Sequence, residues 1–147
     1  MRCLGKIFLI LLLLVAALVG YGLWQGPILD AQSKAYADNA VPAIFARWSK
    51  DQLLQRASPE LTRNVSDNDL STVFFGLARR LGVLVRCDGA TGESHIFFNE
   101  KGMNVTAQYN VNAQFFTAPG VIQLSLKKHG DQWQLLGFHV NSRALLP

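Results

Sequence analysis

Apolar and polar positions alternate without a break along "MNVTAQYNVNAQF", residues 103–115. Met103, Val105, Ala107, Tyr109, Val111, Ala113 and Phe115 fall on one face, and Asn104, Thr106, Gln108, Asn110, Asn112 and Gln114 on the other. A period of two sends successive side chains to opposite sides of a strand, and no helical period fits it. The segment predicts a long, half-buried β-strand. After the turn "TAPG" comes "VIQLSLKK", with Ile122, Leu124 and Leu126 on one face, and "HGD" at 129–131 predicts a hairpin turn into a last strand. Upstream, "VLVRC" (83–87) and "SHIFF" (94–98) are shorter strand candidates, punctuated by "DGATGE" and "NEKG". An antiparallel meander of four to five strands results.

The last strand, "DQWQLLGFHVNS" (131–142), breaks its own alternation. Trp133 and Leu135 share one face while Leu136, Phe138 and Val140 share the other. A bulge at Leu136-Gly137 would return Trp133, Leu135, Phe138 and Val140 to one side, and glycine suits such a kink. Bulges bend sheets, so this reading predicts a curved sheet with a cone-shaped cavity. The alternative is a flatter sheet whose last strand is buried on both faces.

Helical spacing precedes the strands. Val41, Ile44, Phe45 and Trp48 recur at that period, with Pro42 expected in the first turn of a helix. Ser49 and Gln52 have capping-box spacing, and "SPEL" starts another turn with Ser58 as cap. The clearest helix runs from Asp67 to Leu81, capped by Ser66 and ended by Gly82, with Leu70, Val73, Phe74, Leu77 and Leu81 as its apolar stripe. The fold class is α+β.

Before all this lies "IFLILLLLVAALVGYGLW", residues 7–24, without a charged side chain. At helical rise it spans roughly 27 Å, against a hydrocarbon core of about 30 Å. Arg2 and Lys6 precede the run, and Tyr21 and Trp24 occupy the place of an interfacial aromatic belt. The run predicts a single signal-anchor in the inner (cytoplasmic) membrane, with the domain on the periplasmic side. A cleaved signal peptide is the competing reading; its small-residue site is represented near the run only by "GYG" at 20–22. The chain then divides into a basic flank and anchor (1–24), a juxtamembrane linker or helix (25–40), and an exported domain (41–147).

Charge and cysteine usage narrow the classes. The net charge of +4 falls to +2 without Arg2 and Lys6, and the remaining charges are interspersed, so no basic face for nucleic acid forms. Cys3 and Cys87 would lie on opposite sides of the membrane, leaving the domain without a disulfide and dependent on its core.

The helices, the ending "LARRLG", the strand "AQYNVNAQF" and the closing "IQLSLKKHGDQWQLLGFHVNS" together resemble exported members of the nuclear transport factor 2-like (cystatin-like fold) superfamily. Lys128, Gly130, Trp133, Leu135, Gly137, Phe138 and Val140 match the pattern of its last hairpin, and the resemblance covers about residues 40–142. It implies a curved sheet wrapped by helices around a cone. Some members are isomerases or dehydratases, and others only bind ligands or partners. A membrane helix ahead of such a domain also looks like assembly factors of secretion machines.

No residue set names a reaction. On the inward face of residues 103–115 only Tyr109 carries a polar tip, and no carboxylate joins it. His95, His129 and His139 lack the spacing of metal ligands, Cys87 with His95 is a weak nucleophile pair, and no cofactor motif occurs. The amide-rich face of the long strand offers donors and acceptors to a partner, its alternative being a solvated sheet surface. The expected function is non-catalytic, the binding of a small apolar ligand or an envelope protein partner. Val105, Tyr109, Val111, Phe115, Trp133 and Phe138 would line the cavity. A cavity-based isomerase or dehydratase, and an assembly subunit of a secretion apparatus, are the alternatives. A homodimer is left open.

Overall fold

A computed structural model describes residues 2–147, and the side chains of all of these except 2, 3 and 22. The expectations placed on the side chains of Arg2 and Cys3 lie outside that description. Four helices precede five strands: α1 (Arg2–Phe45), α2 (Lys50–Arg56), α3 (Pro59–Asn64), α4 (Asp67–Leu81), β1 (Leu84–Cys87), β2 (Thr91–Asn99), β3 (Gly102–Phe115), β4 (Pro119–His129) and β5 (Gln132–Ser142). A 3-10 turn at Arg143–Leu145 closes the chain. The class is α+β, with an open antiparallel sheet.

α1 is a single helix of 44 residues that passes through both Pro27 and Pro42. Residues 25–40 are therefore helical, and Pro42 lies near the far end of a long helix, not in the first turn of a short one. An interior proline removes a backbone donor and crowds the preceding turn. Here burial offsets that loss, because Leu29, Ser33, Ala37, Ala40, Val41, Ile44 and Phe45 form one stripe packed on the domain. The small residues of that stripe let the helix lie close to the sheet. The opposite end of α1 is bare among the described residues: from Leu4 to Val19 the large apolar side chains are 53–73% exposed. By length and composition, α1 is sufficient to cross a membrane.

The short helices form where their caps dictate. Ser49, Ser58 and Ser66 accept the N–H of Gln52, Leu61 and Asp69, each satisfying an orphan donor of a first turn. α4 buries Leu70, Phe74 and Leu81, and Leu77 packs at the margin. Val73, expected in that stripe, is 47% exposed. Leu70, Phe74, Leu77 and Leu81 already complete an i, i+4, i+7, i+11 line, and Val73 falls beside it. At the end of α4, Gly82 adopts φ 76°, and its carbonyl accepts Trp48 Nε1 at 2.8 Å. Trp48 itself holds φ 51°, a conformation few non-glycine residues adopt. Its ring is clamped by packing, stacked on Phe115 at 5.7 Å and edge-on to Phe45 at 5.4 Å.

β3 lies at the centre of the sheet. β4 flanks it on one side; β2 pairs with its first part and β1 with its last, and β5 lies outside β4. The alternation of β3 is realised. Val105, Ala107, Tyr109, Val111, Ala113 and Phe115 are buried, while Gln108, Asn110 and Asn112 are exposed. The register of β4 with β5 slips between Ser125↔Gly137 and Leu126↔Leu135, so Leu136 is the extra residue of a bulge. Leu135, Phe138 and Val140 thereby face the side of Leu126, Leu124 and Ile122, their cross-strand partners. Glycine is not what the kink requires. A Cβ on Gly137 would meet nothing within 4 Å, and its φ is not positive.

Glu60 staples α3 to the end of the β4–β5 hairpin. Lys127 Nζ donates to its Oε1 at 3.0 Å, and His129 Nε2 lies 3.2 Å from its Oε2. The Lys127 hydrogen bond, helped by the backbone N–H of Glu60, holds this carboxyl at about 2 against an ordinary 4.5. A depressed folded-state value stabilises above the unfolded one and is lost as the acid form takes over. The thermal midpoint is therefore expected to fall by a few degrees as pH drops from about 4.5 to about 2. In Glu60→Gln that part of the slope should vanish. An unchanged acid profile in the variant, followed by circular dichroism melts, would remove the staple from the account.

Candidate functional site

The six residues expected to line a cavity join the core by different routes. Phe115 is fully buried, Val111 and Tyr109 nearly so, Val105 and Trp133 are 4% and 8% exposed, and Phe138 is half-buried. Phe115 and Phe138 enter an aromatic cluster that closes the space between sheet and helices. Phe45 meets Phe138 at 5.4 Å and Phe74 at 6.3 Å, Phe74 meets Phe138 at 5.6 Å, and Trp48 meets Phe74 at 5.7 Å. Such edge-on and tilted pairs pack these rings against one another between the sheet and the helices. Trp133 packs at the other end of β5, its Nε1 buried without a hydrogen-bond partner.

Tyr109 is occupied by structure. Its hydroxyl donates to the carbonyl of Asp30 at 3.0 Å and lies 2.7 Å from Ser33 Oγ, whose single proton is shared between Tyr109 Oη and Leu29 O. Burial raises the pKa of the hydroxyl, opposed by the Ser33 hydrogen bond, so it stays protonated near neutral pH. With Ser33 fully buried and Tyr109 2% exposed, no substrate reaches this hydroxyl. The nearby carboxylate of Asp30 is committed as well, since it accepts both the N–H and the hydroxyl of Ser94. Further along α1, Asp38 accepts the Ala90 N–H at 2.7 Å and pairs with Lys34 at 2.7 Å. Burial pushes the Asp38 carboxyl up, but those two hydrogen bonds outweigh it and hold it below the usual range. Ser33, Asp30 and Asp38 had no signal in the sequence as pins. They fasten α1 across β2 and β3 at three points.

The other candidates for chemistry stand apart. Cys87 pairs with Ala113 and His95 with Thr106, seven residues away on β3, which separates them by about 23 Å. Burial, with the nearby Asp38 and Asp88 carboxylates, raises the Cys87 thiol and disfavours a thiolate. His95 lies 3.6 Å from Glu93, His129 is held by Glu60, and His139 is exposed on β5. Among the described residues, no three His, Cys, Asp or Glu side chains gather as a metal site.

The surface offers more than the interior. A groove of about 630 Å³ runs between α4 and β5, lined by Val73, Gly76, Leu77, Phe138, Val140 and Leu146. Arg80 rims it and ties the C-terminal turn in place by donating to Leu145 O at 3.1 Å. β5 borders this groove with its outer edge. That edge is engaged at Leu135, which accepts the Ser58 N–H at 2.8 Å and bridges to Ala57. Beyond it, from Leu136 to Ser142, the backbone of the strand has no hydrogen-bonded neighbour but β4 among the described residues. Gly76, on the α4 side, has open space above it. This groove was not anticipated from the sequence, which counts Val73 in the apolar stripe of α4.

No protein-family model matches the chain, and no curated protein or solved structure matches it.

Proposed function

We propose that the chain is a single-pass protein of the inner membrane whose periplasmic domain binds a protein partner and catalyses no reaction. The observation that carries this reading is the α4–β5 groove beside a free strand edge. A strand edge presents unpaired N–H and C=O groups, and an extended segment can add to it while its apolar side chains occupy the groove. Val73, 47% exposed, and Leu146, 67% exposed, flank the place where those side chains would sit. The anchor is supported by the exposed apolar band of α1 and by Lys6 before it. It is supported too by the helix running unbroken through residues 20–30, where a cleavable signal would need an extended small-residue site. Membership of the nuclear transport factor 2-like superfamily is proposed on the order of helices before strands, the central long strand and the bulge in the last one.

The test uses the full chain in its native membrane with a photo-crosslinking residue at Leu146 or at Gln108 on the outer sheet face. A discrete adduct at 146, absent at 108, is expected, and Val73→Glu should abolish it without shifting the thermal midpoint. Loss of specificity for 146, or an adduct of lipid or metabolite mass alone, would replace the protein partner by a small ligand.

A further inference from the structure

We infer that the tip of the β2–β3 hairpin is a second membrane contact, with Phe97, Phe98 and Met103 seated in the lipid interface beside the end of the α1 span. This rests on the reading of α1 as a membrane anchor. The height of the hairpin follows from how β2 is fastened to the helix. Asp38 binds Ala90 and Asp30 binds Ser94, so β2 climbs antiparallel to α1 toward its N-terminus. Eight helix residues rise about 12 Å and four strand residues about 13 Å, so the two elements keep pace. Four more strand residues carry Ser94 to Phe98, and the matching helix position lies near Tyr21. A cleft of about 280 Å³ confirms this level, since Met103, Ile96 and Val105 line it together with Tyr21 and Gln25. The apolar run ends at Trp24, so the hairpin tip stands level with the last turn of the span.

The chemistry of the tip suits that position. Phe98 and Met103 are cross-strand partners on the face toward α1, and Phe97 points the other way. They are 71%, 51% and 45% exposed, and Tyr21 and Trp24 beside them are 49% and 68% exposed. Rings at the headgroup boundary bury their apolar body while their edges remain wet. Lys128 at the rim of the cleft places a cation on the domain side of the rings, where lipid phosphates lie, and the turn beyond the rings, Glu100-Lys101, carries one charge of each sign. An isolated apolar hairpin end on a soluble domain would be an aggregation hazard. At this height the bilayer covers it.

The experiment places an environment-sensitive fluorophore on single cysteines in full-length chain carrying Cys3→Ser and Cys87→Ser. The chain is reconstituted in vesicles of phosphatidylcholine and phosphatidylglycerol. Phe98→Cys tests the hairpin, Leu13→Cys the middle of the span, and Phe75→Cys the far end of the domain, next to Phe74 and the Phe45 end of α1. Lipids spin-labelled near the headgroup are expected to quench position 98 at least about twofold more than position 75, and lipids spin-labelled deep in the acyl chain to quench position 13. Emission at 98 should also be shifted to the blue. Quenching at 13 with none at 98 overturns the hairpin contact while leaving the anchor intact. No quenching at 13 overturns the anchor and the hairpin contact together. Phe97→Asp, read at position 98, gives the second check. A folded variant should lose most of the quenching, and retention at full strength also counts against lipid insertion.

Discussion

Replacing Phe45 by alanine is expected to lower the stability of the domain by about 3–5 kcal/mol, the range for deleting a buried phenyl ring. Phe45 is fully buried and touches three other aromatic rings, those of Trp48, Phe74 and Phe138. Those rings come from the turn after α1, from α4 and from β5, so one deletion loosens three elements at once. Trp48 has most to lose, because its left-handed backbone persists only while its ring is clamped. The full chain in detergent should melt about 10–20 °C lower for this variant, with a loss of near-ultraviolet circular dichroism from Trp48. A shift of only a degree or two would mean that the cluster is loosely packed and that the space around it admits a guest.

Gly92→Ala should be nearly as damaging, for a different reason. Gly92 faces Tyr109 across the β2–β3 ladder, and a Cβ there would land inside the van der Waals shell of the Gln108 carbonyl. The obstacle is backbone, which has no rotamer to yield. β2 must shift, and with it the Ala90 and Ser94 groups that Asp38 and Asp30 hold. A loss of about 3 kcal/mol is expected, with amide exchange accelerated along β2 and along residues 29–38 of α1. Gly137→Ala is the matched control in the same sheet, since its added methyl meets nothing within 4 Å. It should stay within about 0.5 kcal/mol of the parent. Equal effects of the two substitutions would show that the β2 register is not what fastens the helix.

Much of this architecture is written in the pattern of the chain. The period of two in residues 103–115 specifies β3, and the broken alternation around Leu136 specifies the bulge. Both are local, and burial on one face makes the register unambiguous. The serine caps are equally legible because each stands just before a helical turn, where its hydroxyl can accept the N–H three residues on. What stayed open between linker and helix was the stretch 25–40 of α1. Its buried stripe is built from Ser33, Ala37 and Ala40, residues too small to raise a hydrophobic period, and Pro27 and Pro42 argue locally against a helix. Packing against the sheet decides the matter, and that is a long-range effect. The same holds for Tyr109. From sequence its hydroxyl could serve chemistry, whereas the Asp30 carbonyl and Ser33, more than seventy positions away, absorb it. The α4–β5 groove is invisible for a third reason. It is defined by what does not cover β5, and a linear pattern does not encode absence.

Because α1 continues without a joint from its bare apolar end to Phe45, the folded unit cannot swivel on a tether. Its 21 residues beyond Trp24 set the aromatic cluster about 31 Å below that tryptophan, measured along the helix. Under the proposed anchoring, the free edge of β5 is then held at one height and one compass bearing relative to the lipid plane. Any roll of the span about its own axis would be delivered to that edge as torque, so a docked protein would sense the azimuth of the helix as well as its presence.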